Sequence, residues 1–444
     1  MAGELVKQRI NKYEEAQKKK LVELGQSKKS YRNILSYLEG EIKQSTKMCN
    51  FNYAILCFKN DGVYQLNKAI EEIYGVSNGK TDKNMSGEES KIETVDVILA
   101  DGTRIKVPYG SIAIPEAGEG AVIKIQYDKN KNVLLITGSC EFRFSSMIDE
   151  IVERTKELLT CNSIYKNQAI EIDSNYEPKI MDLSNLNKEF MVLSDQTKYS
   201  LIPLDARIKH APICIEKGIS LKYGALLEGP YGTGKTLLAF KKAQEAVENN
   251  WIFIYLKDPT LLAQTLRLAK VIDKNGNGVF IFVEDIDQVT RGNRDSAMQD
   301  ILNTLDGGDT KNMNVISLFT TNHMELIEPT FLRGKRIGSI ISLGFLDKKT
   351  AREFIEFTFT KDGYEIDYTN MDAVLELIEN SDIAPAFMAE ITETVKSNMI
   401  LTDDNVVKAN YIENSVKSYL RQVELSRKKD MTETPEMKLA DALQ

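Results

Sequence analysis

The sequence predicts an α/β fold: a parallel sheet in the second half of the chain, followed by a run of helices and preceded by a helical segment and a small α+β domain. Three observations predict it. Apolar runs at Ala225–Leu227, Trp251–Leu256, Val279–Val283, Val315–Thr320 and Ser339–Leu343 alternate with helical segments, the pattern of parallel strands covered on both faces. A glycine-rich turn separates the first of these strands from a helical pattern beginning at Leu237. From Asp347 to Arg427 the pattern is helical throughout.

The chain has 444 residues, enough for about three domains. With 27% charged and 42% hydrophobic residues it has the composition of a soluble globular protein. It has no apolar stretch of the roughly 18 residues that a transmembrane helix needs. The charged segment Met1–Lys20 lacks the apolar core of a signal peptide, so the expected location is cytoplasmic. Five scattered cysteines without a C-x-x-C pair argue against a zinc site or a disulfide framework, and fit a reducing compartment. Two histidines leave little room for histidine-based catalysis. The net charge of −8 disfavours nucleic acid as the main partner.

Residues 1–48 read as helix, and Tyr31, Leu35, Leu38 and Ile42 follow coiled-coil spacing. That seam serves either an oligomerising stalk or an amphipathic helix packed on the next domain. Residues 49–145 read as an α+β domain, a natural place to bind a protein substrate or adaptor. Its elements are a strand at Phe51–Phe58, a helix at Val63–Tyr74, a polar loop at Ser77–Ser90, and hairpins at Val95–Val107 and Val122–Ile136. Residues 146–200 read as a helix, Met147–Leu159, and an irregular link; 201–346 hold the parallel sheet; 347–425 the helices; and 426–444 a disordered tail.

The turn Gly229-Pro230-Tyr231-Gly232-Thr233-Gly234-Lys235-Thr236 matches G-x-x-x-x-G-K-[ST], the phosphate-binding P-loop. Glycines let backbone N–H groups approach phosphate oxygens, and the helix opening at Leu237 adds a favourable dipole. Lys235 is placed to reach the β- and γ-phosphates of ATP, and the Thr236 hydroxyl to bind Mg²⁺. The strand Val279–Val283 then delivers Glu284-Asp285-Ile286-Asp287. Carboxylates at the end of such a strand hold Mg²⁺ and orient or deprotonate the attacking water. Glu284 falls on the metal position and Asp285 on the catalytic one. Asn322, ending the strand Val315–Thr320, fits a sensor of the γ-phosphate and the water; His323 reads as structural. In Glu328-Pro329-Thr330-Phe331-Leu332-Arg333-Gly334-Lys335-Arg336, Arg336 is the first candidate, and Arg333 the second, for a guanidinium acting on the γ-phosphoryl group of a neighbouring subunit.

Together these motifs resemble the AAA family of ATPases over about Leu201–Leu425. Glu284-Asp285-Ile286-Asp287 with Thr320-Thr321-Asn322-His323 looks most like the clade of the mitochondrial Rieske-protein translocase, which shares the Glu–Asp order. The resemblance implies an α/β ATPase subdomain with a helical lid, and ATP bound between subunits of a ring, usually a hexamer. It also places Ala384-Pro385-Ala386, the start of a lid helix, near the adenine. The chain departs from the family at Ser339, where a second arginine is common. It departs again at Leu262–Arg267, where many unfolding members carry an aromatic and a glycine. The first expectation is therefore an ATP-hydrolysing, ring-shaped protein-remodelling ATPase or chaperone. The second is an ATP-gated assembly scaffold with slow hydrolysis, and the third a nucleic-acid motor or loader.

Overall fold

The computed structural model describes residues 39–74, 93–174, 176–188, 190–272, 278–290, 314–332 and 336–432, apart from 41, 115, 116 and 119; Lys19 is also described. The coiled-coil spacing, apart from Ile42, and the loop Ser77–Ser90 fall outside these residues, as does Arg333. In chain order the first elements are β1 (Met48–Leu56), α1 (Lys59–Tyr74), β2 (Glu93–Ile98), β3 (Arg104–Ala113), β4 (Val122–Asp128), β5 (Val133–Glu141) and α2 (Ser145–Cys161). Next come β6 (Ala169–Ile172), β7 (Pro178–Ile180), α3 (Asp195–Lys209), α4 (Ala211–Glu216), β8 (Tyr223–Glu228), α5 (Lys235–Glu248), β9 (Ile252–Leu256) and α6 (Leu262–Ile272). Then follow β10 (Val279–Val283), α7 (Asp287–Thr290), β11 (Val315–Thr321), β12 (Ser339–Ser342), α8 (Lys348–Thr360) and β13 (Glu365–Ile366). The last are α9 (Met371–Asn380), α10 (Pro385–Thr402), β14 (Val406–Val407) and α11 (Ala409–Thr432).

These elements fall into two compact units, one ending at Met181 and taking in Asn250–Val279, the other made of Asp182–Asn249 and the chain from Phe280 onward. In the first unit, five antiparallel strands run in the order β1-β5-β4-β3-β2; β2–β3 and β4–β5 are hairpins at the positions that the alternation of apolar residues predicts. Helix α2 packs along α1, with Arg154 of α2 bonded to Glu72 of α1 at 2.7 Å. So α2 belongs to this unit rather than to a link. Asp61 of α1 is buried, and it accepts hydrogen bonds from Ser163 Oγ (2.5 Å), Gln65 Nε2 (3.1 Å) and Ile164 N (3.2 Å), which tie the end of α2 to α1.

Burial pushes the Asp61 carboxyl up to about 6, against the pull of those donors. A carboxyl that holds its proton better folded than unfolded stabilises the fold fully below the unfolded value and loses that stabilisation as pH rises through about 6. Asp61→Asn should therefore flatten the pH dependence of the unfolding midpoint between about 4 and 6 relative to the unchanged chain. Thermal unfolding followed at several pH values checks it, and parallel curves for the two proteins would refute it.

The first unit also corrects the expected link. Residues 169–172 and 178–180 are strands: β6 pairs in parallel with β9 and antiparallel with β7. Four residues are too few to show a period, and the partner of Ile170 is Ile254, far along the chain. Nor is 200 a boundary, because Leu201 lies within α3, where Pro203 interrupts the helical pattern. Ser194 caps that helix through Thr197 N.

In the second unit the strand order is β12-β8-β11-β10, with β12 and β11 both parallel to β8. All residues of β10 and β11 are buried, as strands covered on both faces require. Helix α5 buries Lys235, Leu238, Ala239, Lys242, Ala243 and Ala246, one face at helical spacing. Lys242 within that face is neutralised by Asp205 at 2.8 Å and Glu245 at 3.1 Å. The helices α8 to α11 close a separate core around Phe354, Leu375, Ile391 and Ile412. Asp347 and Thr350 form a capping box at the start of α8. The predicted tail starts too early: α11 continues to Thr432.

Candidate functional site

Gly234 makes the turn from strand to helix. Its φ of 91° lies in the left-handed region, and the residue immediately after it starts α5. Lys235 is therefore pinned at the first helical position, and its ammonium folds back to donate to Gly229 O (2.7 Å) and Pro230 O (2.8 Å). Thr233 Oγ1 donates to Pro230 O at 2.9 Å, which braces the loop from inside. Burial lowers the pKa of Lys235, and the nearby Asp285 and Glu228 carboxylates oppose that shift. Tyr231 stands out from the loop, 66% exposed, with its hydroxyl 3.4 Å from His323 Nε2.

Thr236 Oγ1 lies 2.5 Å from Glu284 Oε1. This brings the two predicted metal ligands together from α5 and the end of β10. Asp285 follows at a φ of 46°, an uncommon conformation for a residue other than glycine. It is held there by β11: Asp285 N donates to Thr320 Oγ1 at 3.0 Å, and Ile286 N to Thr320 O at 3.0 Å. Asn322 Nδ2 donates to Asp285 Oδ1 at 3.1 Å. One residue earlier, Thr321 Oγ1 donates to Asp287 Oδ1 at 3.0 Å. Burial raises the Asp285 pKa, the Asp287 and Glu284 charges raise it further, and Lys235 partly opposes them. A raised pKa makes this carboxylate a stronger proton acceptor than an ordinary aspartate.

Lys235, Thr236, Leu237, Glu284, Asp285 and Asn322 line one cavity of about 850 Å³, the size of a small-molecule site. The oxygen donors of Thr236 and Glu284 fit Mg²⁺, which takes one or two protein ligands and completes its shell with phosphates and water. Among the described residues no cluster of three His, Cys, Asp or Glu side chains is arranged for a metal ion, so a fully protein-caged ion does not fit there. On the far side the cavity wall is aromatic. Phe190 and Phe357 stack with centroids 3.6 Å apart and planes at 11°. Pro385, Ala386 and Ala389 of α10 complete that wall, and Ala386 N donates to Gly232 O at 3.1 Å, tying this helix to the P-loop. Ala384 does not line the cavity: it is fully buried at the cap of α10. Of the expected Ala384-Pro385-Ala386, the last two do line the cavity, joined by Ala389 one turn further on the same face.

Arg336 is placed elsewhere. Its Nη1 donates to Thr330 O at 2.5 Å, and it is not among the cavity-lining residues. The segment bearing it lies against Gly224, the second residue of β8. A Cβ on Gly224 would stand 1.8 Å from Arg336 O, and Gly338 N donates to Gly224 O at 2.7 Å. Gly224→Ala should therefore displace this segment and cut turnover at least ~10-fold, since a misplacement of about 1 Å at a reacting group costs that or more. ATP affinity should stay within about threefold, because the cavity donors are untouched. Parallel turnover and nucleotide-binding titrations check it; unchanged turnover would sever Gly224 from the arginine.

Motif reading assigns no role to Thr320, Gly224 or the Phe190–Phe357 wall, which the structure places at or beside these groups. Thr320 leaves a local trace as one of the polar residues, with Ser317 and Thr321, in a fully buried strand.

Residues 225–345 match the model of the ATPase family associated with various cellular activities (AAA). The chain is 28% identical over 240 residues to the proteasome-activating nucleotidase of Methanocaldococcus jannaschii, covering 50% of this chain and 53% of that protein. It is 28% identical over 218 residues to an AAA ATPase forming ring-shaped complexes from Corynebacterium kroppenstedtii, covering 43% and 36%. To the 26S proteasome regulatory subunit 8 homolog B of Arabidopsis thaliana it is 27% identical over 251 residues, covering 50% and 58%. The chain thus spans about half the length of the curated relatives it matches. None of the helices among the described residues is long and apolar enough to cross a membrane. With the P-loop, the β10 carboxylates and Asn322 around one cavity, and the family match running from β8 past β12, the chain carries an AAA ATPase domain homologous to those of proteasome-activating nucleotidases and 26S regulatory subunits.

Proposed function

We propose that this protein hydrolyses ATP as a ring, of six subunits by family resemblance, and uses the cycle to remodel a protein partner bound through its N-terminal region. The observation that carries the reading is the division of the catalytic set. Lys235, Thr236, Glu284, Asp285 and Asn322 share one cavity, while Arg336 is held on Thr330 O outside that lining. An arginine in that position acts on the site of the next subunit, so hydrolysis requires assembly.

In this mechanism the P-loop amides and Lys235 hold the phosphates, and Thr236 and Glu284 hold Mg²⁺. Mg²⁺ held there would supply positive charge against the bound phosphates. Asp285 accepts the proton of the attacking water, and Asn322 fixes the carboxylate that does so. The neighbour's Arg336 stabilises the transferring phosphoryl group. The Phe190–Phe357 wall offers the base an apolar face. The Glu284–Asp285 order is also the basis for likeness to the Rieske-protein translocase clade. Leu262, Thr265 and Leu266 are buried on α6, so a remodelling stroke uses other surfaces than aromatic paddles at that stretch.

The second reading, an ATP-gated scaffold with slow hydrolysis, draws on Asp285, one methylene shorter than the more common glutamate. Turnover per subunit, measured across a dilution series alongside light scattering, tests the first reading. It should rise with protein concentration as rings form, and a monomer turning over at the full rate would sink it. Salt-sensitive stimulation by DNA or RNA would move the assignment to a nucleic-acid motor.

A further inference from the structure

Cys49 and Cys140 lie 91 residues apart in sequence and side by side in the antiparallel sheet of the first unit. They are direct partners in the β1–β5 register; their Sγ atoms are 3.8 Å apart, and Cys49 Sγ is 3.4 Å from Cys140 O. The ladder is anchored beyond both ends of the pairing, by Phe142 N to Lys47 O and Cys57 N to Asn132 O, each 3.0 Å. These bonds place the hydrogen-bonded pairs on the odd-numbered residues of β1, Cys49 among them. Partners at such a position have Cα atoms about 5.5 Å apart, inside the range a disulfide spans. Both side chains leave the same face with their sulfurs already in contact, and closing the bond draws the start of edge strand β1 towards β5, because Cβ atoms at a hydrogen-bonded position stand slightly wider than a disulfide spans.

The two thiols differ in access. Cys140 is fully buried, whereas Cys49 is partly exposed on β1, an edge strand of this sheet with β5 as its neighbour. A soluble reagent meets Cys49 first. Burial, and next the hydrogen bond with Cys49, push the Cys140 thiol up to about 12, so it keeps its proton until its neighbour changes.

We propose that Cys49 and Cys140 form a reversible oxidation site that takes a hydroperoxide as oxidant and closes to a disulfide stapling β1 to β5. The Cys49 thiolate attacks the peroxide; the O–O bond breaks, leaving Cys49 as sulfenic acid and releasing an alcohol, or water from hydrogen peroxide. The Cys140 sulfur then attacks the Cys49 sulfur. The S–O bond breaks, the S–S bond forms, and the hydroxyl leaves as water with the Cys140 proton. Two thiols and one hydroperoxide thus give one disulfide, one water and one alcohol. The bond sits near the start of β1, where the chain enters the sheet from the helical residues 42–45.

The test uses the full chain, treated with hydrogen peroxide, alkylated and digested without reduction. The expected product is a peptide pair joined through Cys49 and Cys140, lighter by two hydrogen atoms and separated again by dithiothreitol. Amide exchange over residues 48–52 should slow at least ~10-fold on oxidation, as edge-strand opening is suppressed. The exposed Cys161 is the internal standard for reagent access. Cys49→Ala and Cys140→Ala should each abolish the joined peptide. Cys49 and Cys140 both still alkylated after Cys161 has been oxidised would overturn the proposal, as would Cys49 accumulating as sulfinic acid beside a free Cys140 thiol. A joined peptide with unchanged exchange would overturn the stapling. The unmodified chain decides each outcome, so an alanine variant that fails to fold does not shelter the proposal.

Discussion

Asp285→Asn should lower ATP turnover about 10²- to 10⁴-fold, the contribution of a positioned general base, while leaving ATP affinity within a few-fold. The substitution keeps the shape and one acceptor oxygen, so the 3.1 Å bond from Asn322 Nδ2 survives. It removes a charge that burial and the Asp287 and Glu284 carboxylates disfavour, so folding stability should hold or rise. A collapse of stability would mean that lost activity reports misfolding instead. Steady-state turnover, nucleotide titration and thermal unfolding on one preparation separate the cases. Turnover near that of the unchanged protein would remove Asp285 from the base role.

The same residue sets a pH dependence. Its raised pKa means that the carboxylate is protonated at a higher pH than an ordinary aspartate. Turnover should therefore fall on the acid side through that raised value, with the limb absent from the residual rate of Asp285→Asn. Under the proposed remodelling cycle, Asp285→Asn loaded with ATP should retain a protein partner in pull-down that the unchanged protein does not.

Arg336→Ala should cost about 10³- to 10⁵-fold in turnover, the scale of an arginine acting on a transferring phosphoryl group. Its decisive test is complementation. Lys235→Ala subunits are inactive at their own cavity but still present Arg336 to a neighbour. In a random equimolar ring, about a quarter of the interfaces pair an intact P-loop with an intact arginine, so turnover should return to that order. Mixtures no more active than either parent would place Arg336 in its own subunit's site or outside catalysis. The side chain is bonded to Thr330 O in its own chain, so the bond must exchange as the neighbour docks.

The motifs that gather around the cavity are legible in the sequence because each is local. Gly229–Thr236 carries its own turn geometry, and Glu284-Asp285 and Asn322 follow apolar strands whose ends are plain in the sequence. Of Ala384-Pro385-Ala386, which family resemblance puts near the adenine, Pro385 and Ala386 meet the cavity and Ala384 does not, because helical phase decides which residue faces it. Strands β6 and β7 escaped because each is short and β6 pairs with distant β9. Helix α3 runs across the expected boundary at 200, with Pro203 inside it.

What the sequence by itself determined is the nucleotide chemistry and the α/β strand pattern, since phosphate binding, helix capping and strand burial depend on residues within a few positions of one another. Tertiary structure decided which side chains meet across long separations: Asn322 on Asp285, Gly224 under Arg336, Phe190 on Phe357, and Cys49 beside Cys140. Those meetings follow from register and packing between segments far apart in the chain, where a shift of one residue turns a side chain to the opposite face of a strand.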